Sequence, residues 1–294
     1  MSYPGKAYDE ITNQLLFPSG YENPQAKKRY HLAVIGAGPA GLVTAISAAG
    51  LGANVALIES RSMGGDCLNV GCIPSKALLE FTKNSDRSFD EAFAWLRQVR
   101  AGISEHDSVE RYTDAGVDVF LGSASFNSMG KIEVLDQSID ARRIAICVGS
   151  TAAMPPIKGL SSCGALTNET VFDLQKQPES ICILGAGPIG CELATVFARL
   201  GTKVHLFDSA KRPLPIELPK AGKMIEDSLL SLGVHLYFGQ ESKRFRVVLS
   251  RKEWFASPPK SKASPYWLLW VEKQIQRIFI WIGWVLALPE MVPL

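Results

Sequence analysis

Net charge is the first thing that this sequence lacks. Its 294 residues include 31 lysines and arginines against 29 aspartates and glutamates, which leaves a formal net charge of +2. A protein that binds nucleic acid usually concentrates positive charge on one face or along one helix. The near-neutral balance offers no such footprint, so we do not expect nucleic acid among the partners of this chain.

Long apolar segments are also missing. The run Ile278–Leu288 has eleven residues, whereas a helix that crosses a bilayer needs about 20. A membrane anchor or an interfacial helix in this run is the less favoured alternative. Residues 1–29 contain Lys6, Asp9 and Glu10 and no apolar core, so we interpret them as an N-terminal extension and not as a secretory signal. We therefore expect a cytoplasmic protein without a membrane span.

Cysteine and histidine are scarce, with six and four residues respectively. So few cysteines in a chain of this length do not form a disulfide scaffold. A structural zinc site needs four ligands, usually in paired clusters, and we expect no metal site because most of the cysteines stand singly. The isolated cysteines are Cys147, Cys163, Cys182 and Cys191.

Cys67 and Cys72 are the exception, because they lie close together in the segment from Gly64 to Lys76. The residues after Cys72 predict the first turns of a helix, in which a proline is tolerated. A thiol at a helix N-terminus is stabilised as thiolate, and Lys76 lies one turn further along the same face. This arrangement predicts a redox-active pair, although two ordinary buried cysteines are the alternative.

A first glycine fingerprint precedes this pair and has the order strand, G-x-G-x-x-G, helix, strand, acid. Gly36 permits a tight turn, Gly38 lets the backbone approach a pyrophosphate, and Gly41 allows a helix to pack closely on a strand. Glu59 follows 23 positions after Gly36 and is expected to accept hydrogen bonds from a ribose. The order of elements predicts a dinucleotide-binding unit.

A second fingerprint repeats this pattern 149 residues later, at Gly185, Gly187 and Gly190. Asp208 follows Gly185 by 23 positions, which is the spacing found in the first copy. Two fingerprints predict two bound dinucleotides, whereas the alternative treats one copy as a glycine-rich turn. A flavin, a nicotinamide nucleotide and a dithiol together form a complete electron path.

The C-terminal segment 241–294 differs sharply in composition. It contains no Asp, Asn, Thr, His or Cys, and it holds five of the six tryptophans. Its apolar residues follow no sustained helical or alternating period. We interpret it as an aberrant segment that was translated out of frame.

With these motifs, the chain resembles the pyridine nucleotide-disulfide oxidoreductases, and most of all their mercuric-reductase-like branch, from about Tyr30 to about Gln240. The resemblance implies an α/β fold with two Rossmann-like three-layer domains in series. These would be an FAD-binding domain at 30–160, which is incomplete, and a partial NAD(P)-binding domain at 161–240. The family's C-terminal dimerisation domain, and with it the homodimer interface, is not recognisable here.

The resemblance also implies roles for individual residues. Cys67 would be the interchange thiol that meets a small disulfide or metal-ion substrate, and Cys72 would face the flavin. Lys76 would pair with Glu192 near the reactive flavin nitrogen, although Glu192 is alternatively an ordinary exposed helix acid. The remaining residues that the resemblance assigns to FAD binding are Gly65, Lys76 and Gly149.

The resemblance predicts FAD and NAD(P)H as cofactors, and Asp208 favours NADH because a carboxylate repels a 2′-phosphate. Lys211 and Arg212 lie close by and favour NADPH instead. Two other functions stay open. One is a catalytically incompetent fragment that at most binds nucleotide, and the other is a flavin diaphorase or oxidase that does not use its cysteines.

Overall fold

The computed structural model describes residues 3–84, 87–152, 157, 160 and 164–239, together with the backbone of four further strands at 248–250, 270–272, 277–281 and 284–286. Among these residues the helices are α1 Lys6–Leu16, α2 Pro39–Gly50, α3 Gly65–Asn69, α4 Cys72–Phe81, α5 Phe89–Ser104, α6 Val109–Asp114, α7 Asn168–Val171, α8 Pro188–Arg199 and α9 Pro219–Ser231. None of them is both long and apolar enough to cross a bilayer.

The strands belong to five sheets, of which two are larger and parallel. They are β1 Leu32–Ile35, β2 Val55–Glu59, β3 Val117–Leu121, β4 Ala124–Phe126, β5 Ile132–Val134, β6 Gln137–Ile139, β7 Ile144–Ile146, β8 Ser150–Ala152, β9 Leu166–Thr167, β10 Ser180–Leu184, β11 Lys203–Asp208, β12 His235–Phe238, β13 Val248–Ser250, β14 Trp270–Glu272, β15 Arg277–Trp281 and β16 Trp284–Leu286.

The chain divides into two compact units. The described residues of the first lie mainly within 3–77 and 93–151, and those of the second lie mainly within 78–92 and 152–285. Each unit is built on one of the parallel sheets. The predicted α/β class is therefore confirmed.

The first unit has a four-stranded parallel sheet in the order β3-β2-β1-β7. Every residue of β2 is buried, as expected for a strand covered on both faces. Because side chains alternate along a strand, Leu57 packs with the helices α2 and α6 while Ala56 and Ile58 pack against the antiparallel strands β4, β5 and β6. The unit thus has a helical layer, a central sheet and a second β layer.

The N-terminal extension is part of the first unit. Leu16 at the end of α1 is completely buried in the core. Further along, the side-chain amide of Asn23 exchanges hydrogen bonds with the backbone of Leu121, at 3.1 Å for Nδ2 to O and 2.8 Å for N to Oδ1. Through these bonds the extension covers the end of the edge strand β3, which would otherwise offer unpaired backbone groups.

The second unit contains the sheet β12-β11-β10-β15-β9, in which each pair of neighbouring strands is parallel. Helix α8 packs on β10 and β11 through a buried face that includes Leu193, Val196 and Phe197. In both sheets the strand before the glycine fingerprint pairs with the strand that follows the fingerprint helix. The two units therefore share the βαβ arrangement that the duplicated fingerprints predict.

Most of the segment 241–294 lies outside the described residues. Among the parts described, β15 pairs in parallel with β10, with Ile181 opposite Ile278. Its place in the second sheet corresponds to that of β7 in the first, on the far side of the fingerprint strand. The interpretation of this segment as an out-of-frame product stays a prediction.

Candidate functional site

The first glycine loop joins β1 to α2 and leaves no room for a side chain at two of its glycines. Gly36 has a φ of 100°, and a Cβ added there would lie 2.3 Å from the carbonyl oxygen of Cys147. A Cβ added at Gly41 would lie only 1.8 Å from the carbonyl oxygen of Gly36. These contacts are far below van der Waals distance, so glycine is required at both positions.

Glu59 ends β2 beside this loop and is only 8% exposed. Its Oε2 accepts a hydrogen bond of 2.7 Å from the backbone N–H of Ala37, and its Oε1 accepts one of 2.7 Å from the N–H of Arg61. The carboxylate is thus fixed against the glycine loop by two charge-assisted hydrogen bonds. A carboxylate has about four acceptor sites, so these bonds leave acceptor sites for a ribose. That assignment stays a prediction.

The segment that carries the cysteine pair lies against the first glycine loop. The N–H of Gly64 donates to the carbonyl oxygen of Ala37 at 2.8 Å. Gly65 has a φ of 57°, and a Cβ added there would lie 2.6 Å from Cα of Gly38. The two backbones therefore touch, which brings the cysteine segment to the N-terminus of α2. The sequence pattern contains Gly65 but does not reveal this contact.

Cys67 lies on the short helix α3, and Cys72 is the first residue of α4, as the sequence predicts for a helix start. Both are free thiols, Cys67 partly buried and Cys72 exposed, and they lie close enough for Cys72 to shift the pKa of the Cys67 thiol. Burial raises the pKa of the Cys67 thiol and the nearby Cys72 thiol raises it further, whereas the backbone of Cys72 and the ammonium of Lys76 partly counteract both. The structure therefore brings the predicted pair and Lys76 together.

The alkylation of these thiols should show a distinct pH dependence. Because the thiolate is the reactive form and the pKa of Cys67 is raised, Cys67 in the native chain should react with iodoacetamide only at a higher pH than an ordinary cysteine. Lys76→Gln should move this pH higher still, since it removes the one charge that lowers the pKa. Peptide mass spectrometry after timed alkylation measures both profiles.

Cys191 provides the internal control for this experiment. Burial, followed by the charges of Asp208 and Glu192, raises its pKa to about 12, and its thiol donates to the carbonyl oxygen of Ala186 at 3.4 Å. It should stay unmodified in the native chain and react after denaturation. An unshifted profile for Cys67, or one that Lys76→Gln moves to lower pH, would contradict the electrostatic account.

The turn after β7 lies against the first glycine loop, where Gly36 approaches the backbone of Cys147. The N–H of Cys147 donates to the carbonyl oxygen of Ile35 at 2.7 Å, so it continues the sheet. Burial raises the pKa of the Cys147 thiol, as it does for Cys67, so its assignment as a strand residue and not a third redox thiol stays a prediction. Gly149 has a φ of 66°, the left-handed conformation that a turn at this point requires.

The second glycine loop repeats the geometry of the first. Gly185 has a φ of 105°, and a Cβ added at Gly190 would lie 1.9 Å from its carbonyl oxygen. Asp208 accepts hydrogen bonds from the N–H of Ala186 at 2.6 Å and of Ala210 at 2.7 Å, which are the counterparts of the two bonds to Glu59. Gly187 is the N-cap of α8, just as Gly38 is the N-cap of α2.

Glu192 lies on α8 in the second unit, whereas Lys76 lies on α4 within the first. The predicted pairing of these two side chains joins the units and stays a prediction. Among the residues that the structure describes, no group of three or more histidine, cysteine or acidic side chains is arranged to hold a metal ion.

Two arginines on α5 were not singled out by the sequence pattern. Arg97 and Arg100 are 1% and 7% exposed, and Arg100 donates to the backbone of Asn69, between the two cysteines. The only signal in the sequence is that these charges occupy positions on the apolar face of a helix. A motif search does not detect such a signal.

Comparison with known proteins gives consistent results. The sequence profile of the family described as pyridine nucleotide-disulphide oxidoreductase matches residues 30–252, past Gln240 where the resemblance was predicted to end. A mercuric reductase from Lysinibacillus sphaericus is 32% identical over 73% of this chain and 42% of its own length. A dihydrolipoyl dehydrogenase from Acholeplasma laidlawii is 34% identical over 64% of this chain and 62% of its own.

Solved structures show the same relationship. The HOCl-induced flavoprotein disulfide reductase RclA from Escherichia coli has a TM-score of 0.68 at 30% identity, over 73% of this chain and 50% of that protein. A copper(II) complex of the same reductase has a TM-score of 0.71 at 27% identity, over 86% and 56%. This chain spans about half the length of the relatives that it matches.

Proposed function

Because the chain belongs to the pyridine nucleotide-disulphide oxidoreductase family, we propose that it carries the parts of such an enzyme that bind FAD and a nicotinamide nucleotide, together with the redox thiols. Electrons would pass from NAD(P)H to the Cys67–Cys72 pair and then to a small disulfide or a metal ion. The observation that carries this proposal is the contact between Gly65 and Gly38, which joins the thiol segment to a dinucleotide loop.

The residues of the first unit fit FAD. The backbone of the loop carries no side chain at Gly36, Gly38 and Gly41, and no side chain caps the N-terminus of α2. The N–H groups of this helix start are therefore available to a pyrophosphate, while Glu59 would accept from the ribose. When bound, FAD supplies a carrier that takes a pair of electrons from a nicotinamide and delivers it to a disulfide.

The two cysteines would act on the substrate in sequence. Cys67 as thiolate attacks one sulfur of a substrate disulfide, and the other sulfur leaves as a thiolate that takes up a proton. Cys72 then displaces the first substrate sulfur, so that a Cys67–Cys72 disulfide forms and the substrate receives two electrons. The interaction between the two thiols, which raises the pKa of Cys67, supports this assignment because it requires the thiols to lie near each other.

A metal-ion substrate is the second possibility within the same chemistry. Two relatives are named as a mercuric reductase and as a copper(II) complex of a disulfide reductase. A dithiol is a soft ligand pair that suits such ions. The proposed site of electron delivery is the same for either class of substrate.

The second unit supports a preference for NADH. Arg212 is committed to the loop after β11, since its guanidinium donates to the carbonyl oxygens of Leu214 at 2.8 Å, Pro215 at 2.9 Å and Glu217 at 2.7 Å. Asp208 is meanwhile held at the end of β11, where its carboxylate would repel a 2′-phosphate. Lys211 is the residue that still favours NADPH as the alternative nucleotide.

The experiment that tests this function is anaerobic reduction of the oxidised chain. With added FAD and NADH, free thiols should appear at Cys67 and Cys72, as measured by peptide mass spectrometry after alkylation. NADPH at the same subsaturating concentration should act more slowly. A preference for NADPH of tenfold, or about 1.4 kcal/mol, would reverse the nucleotide assignment. Failure of both nucleotides to yield thiols would leave the nucleotide-binding fragment as the better interpretation.

A further inference from the structure

Helix α1 lies outside residues 30–252, which match the family profile, yet it contacts the residue directly before the segment from Gly64 to Lys76 that carries the two thiols. The carbonyl oxygen of Leu16, its last residue, accepts from the N–H of Met63 at 3.2 Å. Leu16 and Met63 are both completely buried. The helix therefore packs against the start of the segment that carries the thiols, although the fingerprint motifs do not include it.

A buried charge cluster makes a second connection. Asp9 on α1 pairs with Arg97, whose Nε lies 3.0 Å from Oδ2, and with Nη2 of Arg100, which bonds to Oδ1. The side chains of the two arginines are 1% and 9% exposed, and that of Asp9 is 15% exposed. Removing one partner from such a cluster is costly because the remaining charge stays buried.

Arg100 extends this cluster to the thiols. Its Nη1 donates to the carbonyl oxygen of Asn69 at 3.0 Å, at the end of α3 and between Cys67 and Cys72. The side chain of Asn69 in turn donates to the carbonyl oxygens of Gly65 at 2.9 Å and Met63 at 3.0 Å. A continuous series of hydrogen bonds thus runs from Asp9 through Arg100 and Asn69 to both ends of α3.

We propose that Asp9 and Arg100 are positioning residues, which hold the turn between Cys67 and Cys72 so that the two thiols stay within reach of each other. This inference rests on the proposed function, in which these thiols form the redox pair. A turn held in this way keeps the effective concentration of one thiol near the other high. Releasing it should make the internal disulfide less favourable, because the thiols then sample more arrangements.

The test is the thiol–disulfide equilibrium of the full chain with glutathione. Cys67 and Cys72 lose two hydrogen atoms as one S–S bond forms between them, and glutathione disulfide takes up two electrons and two protons to give two glutathione thiols. Arg100→Gln should lower the equilibrium constant for forming the internal disulfide by about threefold or more. Acid stops the exchange, and mass spectrometry then quantifies the dithiol and the disulfide forms of the chain.

Arg97→Gln is the matched control. Arg97 occupies the same cluster and is at least as buried, but it bonds to Asp9 and to the carbonyl oxygens of Pro4 and Phe93, which lie outside the turn between Cys67 and Cys72. It should lower thermal stability as Arg100→Gln does, but it should change the equilibrium constant by less than about twofold. A merely structural role for Arg100 would instead give equal effects in both variants.

The outcomes separate the two proposals. If the unaltered chain forms no Cys67–Cys72 disulfide, the proposed function fails. If it forms the disulfide and Arg100→Gln leaves the constant unchanged, only the positioning role fails. Should Arg100→Gln not fold, as judged by circular dichroism, Arg100→Lys is measured in its place. It keeps a cation beside Asp9 but lacks the planar guanidinium that reaches both Asp9 and Asn69. Arg100→Lys should lower the equilibrium constant for the internal disulfide in the same way, and an unchanged constant overturns the inference.

Discussion

Gly41→Ala should strongly weaken FAD binding by the full chain and leave NADH binding intact, whereas Gly190→Ala should do the reverse. Each new Cβ would lie less than 2 Å from a backbone carbonyl oxygen of its own glycine loop, at 1.8 Å and 1.9 Å respectively. Backbone cannot move aside as a side chain can, so the loop must open. At the upper end of overpacking costs, about 3 kcal/mol, affinity should fall by roughly 100-fold or more.

Flavin and nicotinamide fluorescence titrations measure the two affinities separately. Gly50→Ala is the control on the same helix as Gly41, because a Cβ at Gly50 meets nothing within 4 Å. It should leave both affinities unchanged. If Gly41→Ala or Gly190→Ala loses affinity for both nucleotides, the two sites are not independent. If neither variant loses affinity for either nucleotide, the glycine loops do not bind them.

Cys72→Ser should eliminate the internal disulfide altogether. In the unaltered chain, glutathione disulfide should convert Cys67 and Cys72 into one cross-linked peptide, because the two thiols lie close enough for Cys72 to raise the pKa of Cys67. Without Cys72, oxidation of Cys67 should stop at a mixed disulfide with glutathione, since no neighbouring thiol resolves it. Peptide mapping without reduction distinguishes these products.

Cys147→Ser is the control for that experiment. Cys147 is partly buried with a raised pKa, as Cys67 is, but it follows β7 and is assigned no redox role. The cross-linked peptide should form normally in this variant. A cross-link of Cys67 to Cys147, or one that persists in Cys72→Ser, would mean that the redox pair has been wrongly identified.

The parts of the site that depend on local sequence could be predicted. The resemblance to the family and the α/β class are confirmed. A strand, a glycine turn and a helix follow one another within a short stretch, so the spacing from Gly36 to Glu59 determines where the acid lies relative to the loop. The start of α4 at Cys72 likewise depends on neighbouring residues. A proline is tolerated only in the first turn of a helix, so its position in the sequence limits where the helix can begin.

Contacts between distant segments could not be predicted in this way. The approach of Gly65 to Gly38 depends on how the chain returns after β2, and the bond from Arg100 to Asn69 joins residues 31 positions apart. A fingerprint also shows which residues are charged, but it does not show whether these charges already bind other groups of the protein. Arg212 could be a phosphate ligand by sequence, whereas in the structure it binds loop carbonyls. Tertiary packing decides such cases.

One chain should bind two different dinucleotides at separate glycine loops, with the thiols beside the first. Equilibrium dialysis of the unaltered chain with FAD and NAD⁺ together, two oxidised dinucleotides that do not react with each other, tests this most directly. About one equivalent of each should be retained, and excess NAD⁺ should not displace FAD, because each loop holds one dinucleotide. Competition between the two nucleotides for a single equivalent would contradict the account.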